Sequence, residues 1–131
     1  MTAASASRGG DPEAGQATVE LALALPVVVL VLLLVLQVGL VVRDQVLVVH
    51  AAREAARAVA VDARPGAASG AAATAGPLDP ARLSVSVQGR DGLGSRVHVT
   101  VTYRAPTDVP LVGPLVGDVD LHADVTMRVE S

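Results

Sequence analysis

Three regimes of hydrophobic and polar positions follow one another along the chain. From Leu21 to Val42, 22 consecutive residues carry no formal charge, and only Pro26, Gln37 and Gly39 interrupt a run of Leu, Val and Ala. As a helix this run spans ~33 Å at ~1.5 Å per residue, about the thickness of a bilayer's hydrocarbon core. A soluble helix of that length would keep one polar face, and this one has none. With only 131 residues available to bury it, the pattern predicts a membrane segment over 21–42. Pro26 removes one backbone donor and crowds the carbonyl of Ala22, so a mild helix kink is expected there.

The helical pattern continues past the water boundary marked by Arg43-Asp44-Gln45. Val46, Val49, Arg53, Ala56 and Ala60 form one stripe, with Ala52, Val59 and Ala63 beside it. Arg43, Asp44, Glu54, Arg57, Asp62 and Arg64 lie mostly elsewhere. Ala51 to Ala58 contains no helix breaker, and Ala is the best helix former. Glu54 is spaced to meet His50 at i−4 and Arg57 at i+3. The segment 16–63 is therefore expected to be one long helix, from about Ala17 to Asp62, with a membrane part over 21–42 and an amphipathic part over 43–63.

Residues 64–82 begin with Pro65-Gly66 and are rich in Gly, Ala, Ser, Thr and Pro, with Leu78 the only large apolar residue before the strands. They read as a flexible linker. From Leu83 the period becomes two. Leu83, Val85 and Val87 alternate with polar residues, as do Val97, Val99, Val101 and Tyr103, and later Val119, Leu121, Ala123, Val125, Met127 and Val129. Gly89 to Gly94 is a turn centred on Asp91-Gly92. Residues 83–131 thus form a small antiparallel β domain of three strands with one apolar face. An isolated sheet of that size is marginal, and its nearest cover is the helix around Val46 to Val61. The expected fold class is α+β: a single long amino-terminal transmembrane and amphipathic helix with a three-stranded sheet against its distal half.

Composition narrows the function classes. The chain has no Cys, Phe, Trp, Lys, Asn or Ile, one Tyr, and ten basic residues that are all Arg. The usage suggests a GC-rich genome. Absence of Cys excludes disulfides and thiolate metal sites. A formal charge of −3 is too small to imply a polyionic partner, and no basic aromatic surface suits nucleic acid. Gly89-Arg90-Asp91-Gly92-Leu93-Gly94 joins two strands instead of opening a helix, which sets it apart from a phosphate loop. His98 and His122 lie on polar strand faces and could be neighbours. Asp118, Asp120 and Asp124 stand ~7 Å or more apart along one strand, too far to close around an ion unaided. No metal, cofactor, small-molecule substrate or catalytic group is expected, and the chain does not read as an enzyme.

The remaining signal is the amino-terminal edge of the apolar run. Met1 to Gly15 is small, polar and Gly-rich and reads as disordered. The Ala-x-Ala matches near the segment, at Ala22 and at Ala58, are misplaced for signal peptidase. Glu20 abuts the run in Gly15-Gln16-Ala17-Thr18-Val19-Glu20-Leu21. On one reading Thr18 or a neighbour caps the helix start and Glu20 favours the positive end of its dipole. On another, this string with Leu25-Pro26 beyond it resembles the processing site of type IV pilin-like proteins, most of all the TadE-like pseudopilins of tight-adherence (Flp) pilus systems. The block Ala51-Ala52-Arg53-Glu54-Ala55-Ala56-Arg57 resembles the same family, in which such a string commonly follows the anchor.

The resemblance, over about Gly15 to Val61, implies a pilin-like bacterial membrane protein. A prepilin peptidase would cut between Gly15 and Gln16, removing 1–15 as a leader and leaving Glu20 fifth in the mature chain. Gln16 would then expose an α-amine, and its pairing with Glu20 would set register in an assembly with other pilins, pseudopilins and the assembly platform. The family implies a cytoplasmic amino terminus and an extracytoplasmic sheet domain. Charge alone points the other way, with Arg8 before the segment and Arg43, Arg53 and Arg57 after it. The alternative is an uncleaved, signal-anchored cell-surface binding module.

Overall fold

A computed structural model describes residues 12–130. Most of the segment read as a leader therefore lies outside the described residues. The chain folds as a helix α1, Pro12–Val61, a short helix α2, Ala67–Thr74, a single 3₁₀ turn at Pro80–Arg82, strands β1, Leu83–Gln88, and β2, Arg96–Ala105, a helical turn α3, Gly113–Val116, and strand β3, Val119–Arg128. The three strands form one antiparallel sheet in the order β1-β2-β3. The architecture is α+β, one long apolar amino-terminal helix with a three-stranded sheet, as the patterning predicts.

Register follows from the period-two pattern. Val85 pairs with Val101 and Val87 with Val99 across β1–β2. Val97 pairs with Met127, Val99 with Val125, Val101 with Ala123 and Tyr103 with Leu121 across β2–β3. A shift by one residue would turn every one of these side chains to water. β2 is central and its apolar face is fully covered, with Val97, Val99 and Val101 at 0% exposure.

The cover is α1, by part of the stripe the spacing suggests: Ala52, Ala56, Val59 and Ala60 are buried as expected, while Val46 and Arg53 of that stripe are not. The buried positions are Val48, Ala51, Ala52, Ala55, Ala56, Val59 and Ala60, whereas Val46, Val61 and Arg53 are exposed. Four alanines in two adjacent pairs let the sheet and α2 approach the helix closely. Gln45 Nε2 donates to His122 O at one end of this interface, and Glu130 N donates to Ala60 O at the other.

Residues 64–82, read as a flexible linker, instead carry α2 and the 3₁₀ turn. Ala68 and Ala72 of α2 are buried with α1 in the common core, joined by Leu78. The end of α1 is shaped by Asp62, whose carboxylate accepts from Arg64 N at 2.9 Å and from Arg64 Nε and Nη2 at 2.8 and 2.6 Å. Gly66 at φ 87° then turns the chain into α2. The β1–β2 connection is a loop with Gly89, Gly92 and Gly94 all at positive φ, wider than a two-residue turn on Asp91-Gly92.

Candidate functional site

The residues singled out at the edge of the apolar run all lie on α1, which begins before them. Gly15, Gln16 and Glu20 are exposed helical residues, and a side chain at Gly15 would meet nothing within 4 Å. Thr18 does not cap the helix: its hydroxyl donates back to Ala14 O at 2.9 Å, one turn earlier. Glu20 has no hydrogen bond or ion pair among the described residues. The helix is continuous across Pro26. From Val19 to Leu36 the side chains are exposed, apart from half-buried Leu33. A 50-residue helix with such a surface is long and apolar enough to cross a membrane.

The second block divides between two surfaces of α1. Ala52 is buried in the common core, while Arg53 and Arg57 are exposed and Glu54 is half-buried. No ion pair joins Glu54 to His50 or Arg57 among the described residues, so the spacing alone does not secure those pairs. The alanines enter the core shared with the sheet and α2, and the charged residues border the outer side.

The polar face of the sheet keeps the two histidines apart. His98 Nδ1 lies 2.8 Å from Thr126 Oγ1, while His122 stands opposite Thr102. Asp124 accepts from Thr100 Oγ1 at 2.6 Å and lies 3.5 Å from His98 Nε2. Among the described residues no three His, Cys, Asp or Glu side chains converge as a metal site. Arg82 and Arg104 lie 3.9 and 3.5 Å from Asp118 and Asp120 at the end of the sheet nearest the β2–β3 crossover. These are exposed pairs, each worth a few tenths of a kcal/mol.

One contact is invisible to local pattern. Gln37, inside the apolar run, is 2% exposed because the β2–β3 crossover folds back over it. Its Oε1 accepts from Val109 N at 3.4 Å, and its Nε2 is buried without a partner among the described residues. The only hint in the sequence is a lone amide within an otherwise apolar span.

No curated protein and no solved structure matches the chain. Residues 15–57 match the family model described as TadE-like protein. The matched stretch opens at the candidate scissile glycine, contains Glu20 and the whole apolar run, and closes on Arg57; over these residues the chain is similar to the TadE-like family.

Proposed function

We infer that the protein is a membrane-anchored, TadE-like pseudopilin that serves assembly of a tight-adherence pilus or a related secretion apparatus. The observation that carries this reading is the family match over 15–57 on a helix whose apolar surface lies open from Val19 to Leu36. The role is structural: α1 anchors and packs, and the sheet stiffens its distal half. A prepilin peptidase cuts between Gly15 and Gln16. That bond lies in a helical turn, and Gly15 lowers the cost of opening the turn by ~1 kcal/mol relative to Ala. The amino terminus stays cytoplasmic and the sheet domain lies outside. Arg53 and Arg57 do not oppose this orientation as free loop cations would, because they stand on a folded helix.

Intact-mass measurement of the protein recovered from cells tests the reading. The expected chain is residues 16–131, and Gly15→Leu is expected to leave an uncleaved precursor. A chain still carrying its leader in cells with an active prepilin peptidase would overturn it and favour the uncleaved surface-binding module.

A further inference from the structure

The β2–β3 crossover holds a second apolar element that the anchor alone does not explain. From Val109 to Gly117 the sequence Val-Pro-Leu-Val-Gly-Pro-Leu-Val-Gly carries no charge, and Asp108 and Asp118 stand at its two ends. Leu115 is 82% exposed, Leu111 66% and Val116 46%. The segment leans on the helix at Gln37. Its tip faces Ala22, Leu25, Pro26, Val29 and Leu30 across an open apolar crevice of about 640 Å³. Leu30 lies ~10 Å farther along the axis from Gln37, away from the sheet, at ~1.5 Å per residue. The tip therefore runs beside a part of α1 that little else among the described residues covers.

The backbone of the crossover is suited to a poorly hydrated place. Pro110 and Pro114 bring no N–H. Gly113 N donates to Val109 O at 2.7 Å, Leu115 N and Val116 N to Val112 O at 3.0 and 3.2 Å, and Gly117 N to Gly113 O at 3.1 Å. Thr107 Oγ1 closes the base on Gly117 O at 2.8 Å. Val109 N finds Gln37 Oε1. The amides of Leu111 and Val112 have no acceptor among the described residues. Leu111 is also the one non-glycine described with positive φ, 68°. A leucine there costs on the order of 1 kcal/mol, and at 66% exposure its side chain gains little packing among the described residues.

We propose that Val109–Gly117 is a second membrane contact. It dips beside the apolar helix, from Gln37 where it enters toward the level of Leu30, with Leu111, Leu115 and Val116 among acyl chains and Asp108 and Asp118 toward the headgroups. The occupant of the crevice is lipid, by continuity with the exposed apolar surface of α1. Gln37 holds the loop's first amide at the point where it enters. The inference rests on the reading of α1 as a membrane anchor, and it fixes the sheet to the membrane at two points instead of leaving it on a free stalk.

The chain has no cysteine, so Leu115→Cys, Val116→Cys, Leu93→Cys and Leu32→Cys each offer a single thiol for a nitroxide label. The full chain is reconstituted in phosphatidylcholine nanodiscs, and access of oxygen and of a water-soluble nickel chelate is read by electron paramagnetic resonance. Leu93 is 77% exposed in the β1–β2 loop at the far end of the sheet and serves as the aqueous reference. The expected result is loss of chelate access at positions 115 and 116, with oxygen access retained, as at position 32. Chelate access at 115 and 116 equal to that at 93, with 32 still shielded, would overturn the loop's insertion and leave the anchor standing. Chelate access at 32 would overturn the anchor, and the insertion with it.

Discussion

Gly113 shows how tightly single positions shape the crossover. A β-carbon added there would collide with Thr107 O and Thr107 C, backbone atoms that cannot move aside cheaply. Gly113→Ala is expected to destabilise the sheet domain by about 1–3 kcal/mol, as overpacking does. Gly70→Ala, in α2 where an added β-carbon meets nothing, is expected to stabilise by about 0.5–1 kcal/mol through helix propensity. Thermal unfolding of the detergent-solubilised chain checks both, and equal effects would contradict the geometry. Asp62 provides a pH-dependent counterpart. Hydrogen bonds from the Arg64 side chain, then from its backbone N–H, hold the Asp62 carboxyl down to about 2 from 3.8. A depressed carboxylate contributes stability above its unfolded pKa and loses it as pH falls through the folded one. The lock at the end of α1 should therefore begin to weaken below about 3.8 and be lost near 2. Carboxyl NMR shifts of Asp62 that titrate at the ordinary value would exclude the lock. Neither Gly113 nor Gln37 could be picked out from sequence, since each depends on a neighbour that only folding brings close; Gln37 and Val109 are 72 positions apart.

Among the elements, the interface of α1 with the sheet depends on small side chains. Ala51, Ala52, Ala55 and Ala56 are all at 0% exposure in a core shared with α2 and the sheet, so the distance of α1 from both is set by methyl groups. Ala55→Leu adds three carbons where no space remains and is expected to cost about 1–3 kcal/mol. Ala58→Leu, at a half-buried position on the same helix, should cost less. Comparing their thermal midpoints tests the packing. The strands were legible because alternation of Val with Thr, Ser, His and Asp leaves one answer for which face turns inward. The helix stripe was legible only in part, because alanine occupies nearly every side of 51–63 and gives little contrast between faces. Arg53, counted in the expected stripe, points outward instead. Nor was α2 legible. Eight residues of Ala, Ser, Gly and Thr between Gly66 and Pro77 would be a marginal helix alone, and burial of Ala68 and Ala72 on α1 is what holds it.

At the scale of the whole molecule, the long helix carries two kinds of surface: one covered by its own sheet beyond about residue 44, the other bare from Val19 to Leu36. The candidate site at its amino-terminal edge was legible because Gly15, Gln16 and Glu20 lie within six consecutive residues. What they meet was not, because Glu20 has no partner among the described residues. The proposed partner, the Gln16 amine, would exist only after the proposed cleavage. When bare helices bundle, an unpaired carboxylate and an unpaired ammonium would each be costly in an apolar surround. Their pairing, within one subunit or across two, offsets that cost and fixes axial register, as a buried polar pair does in a coiled coil. Glu20→Ala should therefore be processed at Gly15 as before yet fail to enter the assembly, and Glu20→Gln, which keeps shape but not charge, should fail nearly as badly. Mature-chain mass and the amount of the protein in sheared fibres or the purified membrane complex are the two readouts. Normal incorporation of processed Glu20→Ala would remove the pairing role and leave the acid as a helix-start residue. Cyclisation of the amino-terminal Gln16 would erase the ammonium, and the same mass spectrum would reveal it as a loss of ammonia from the mature chain.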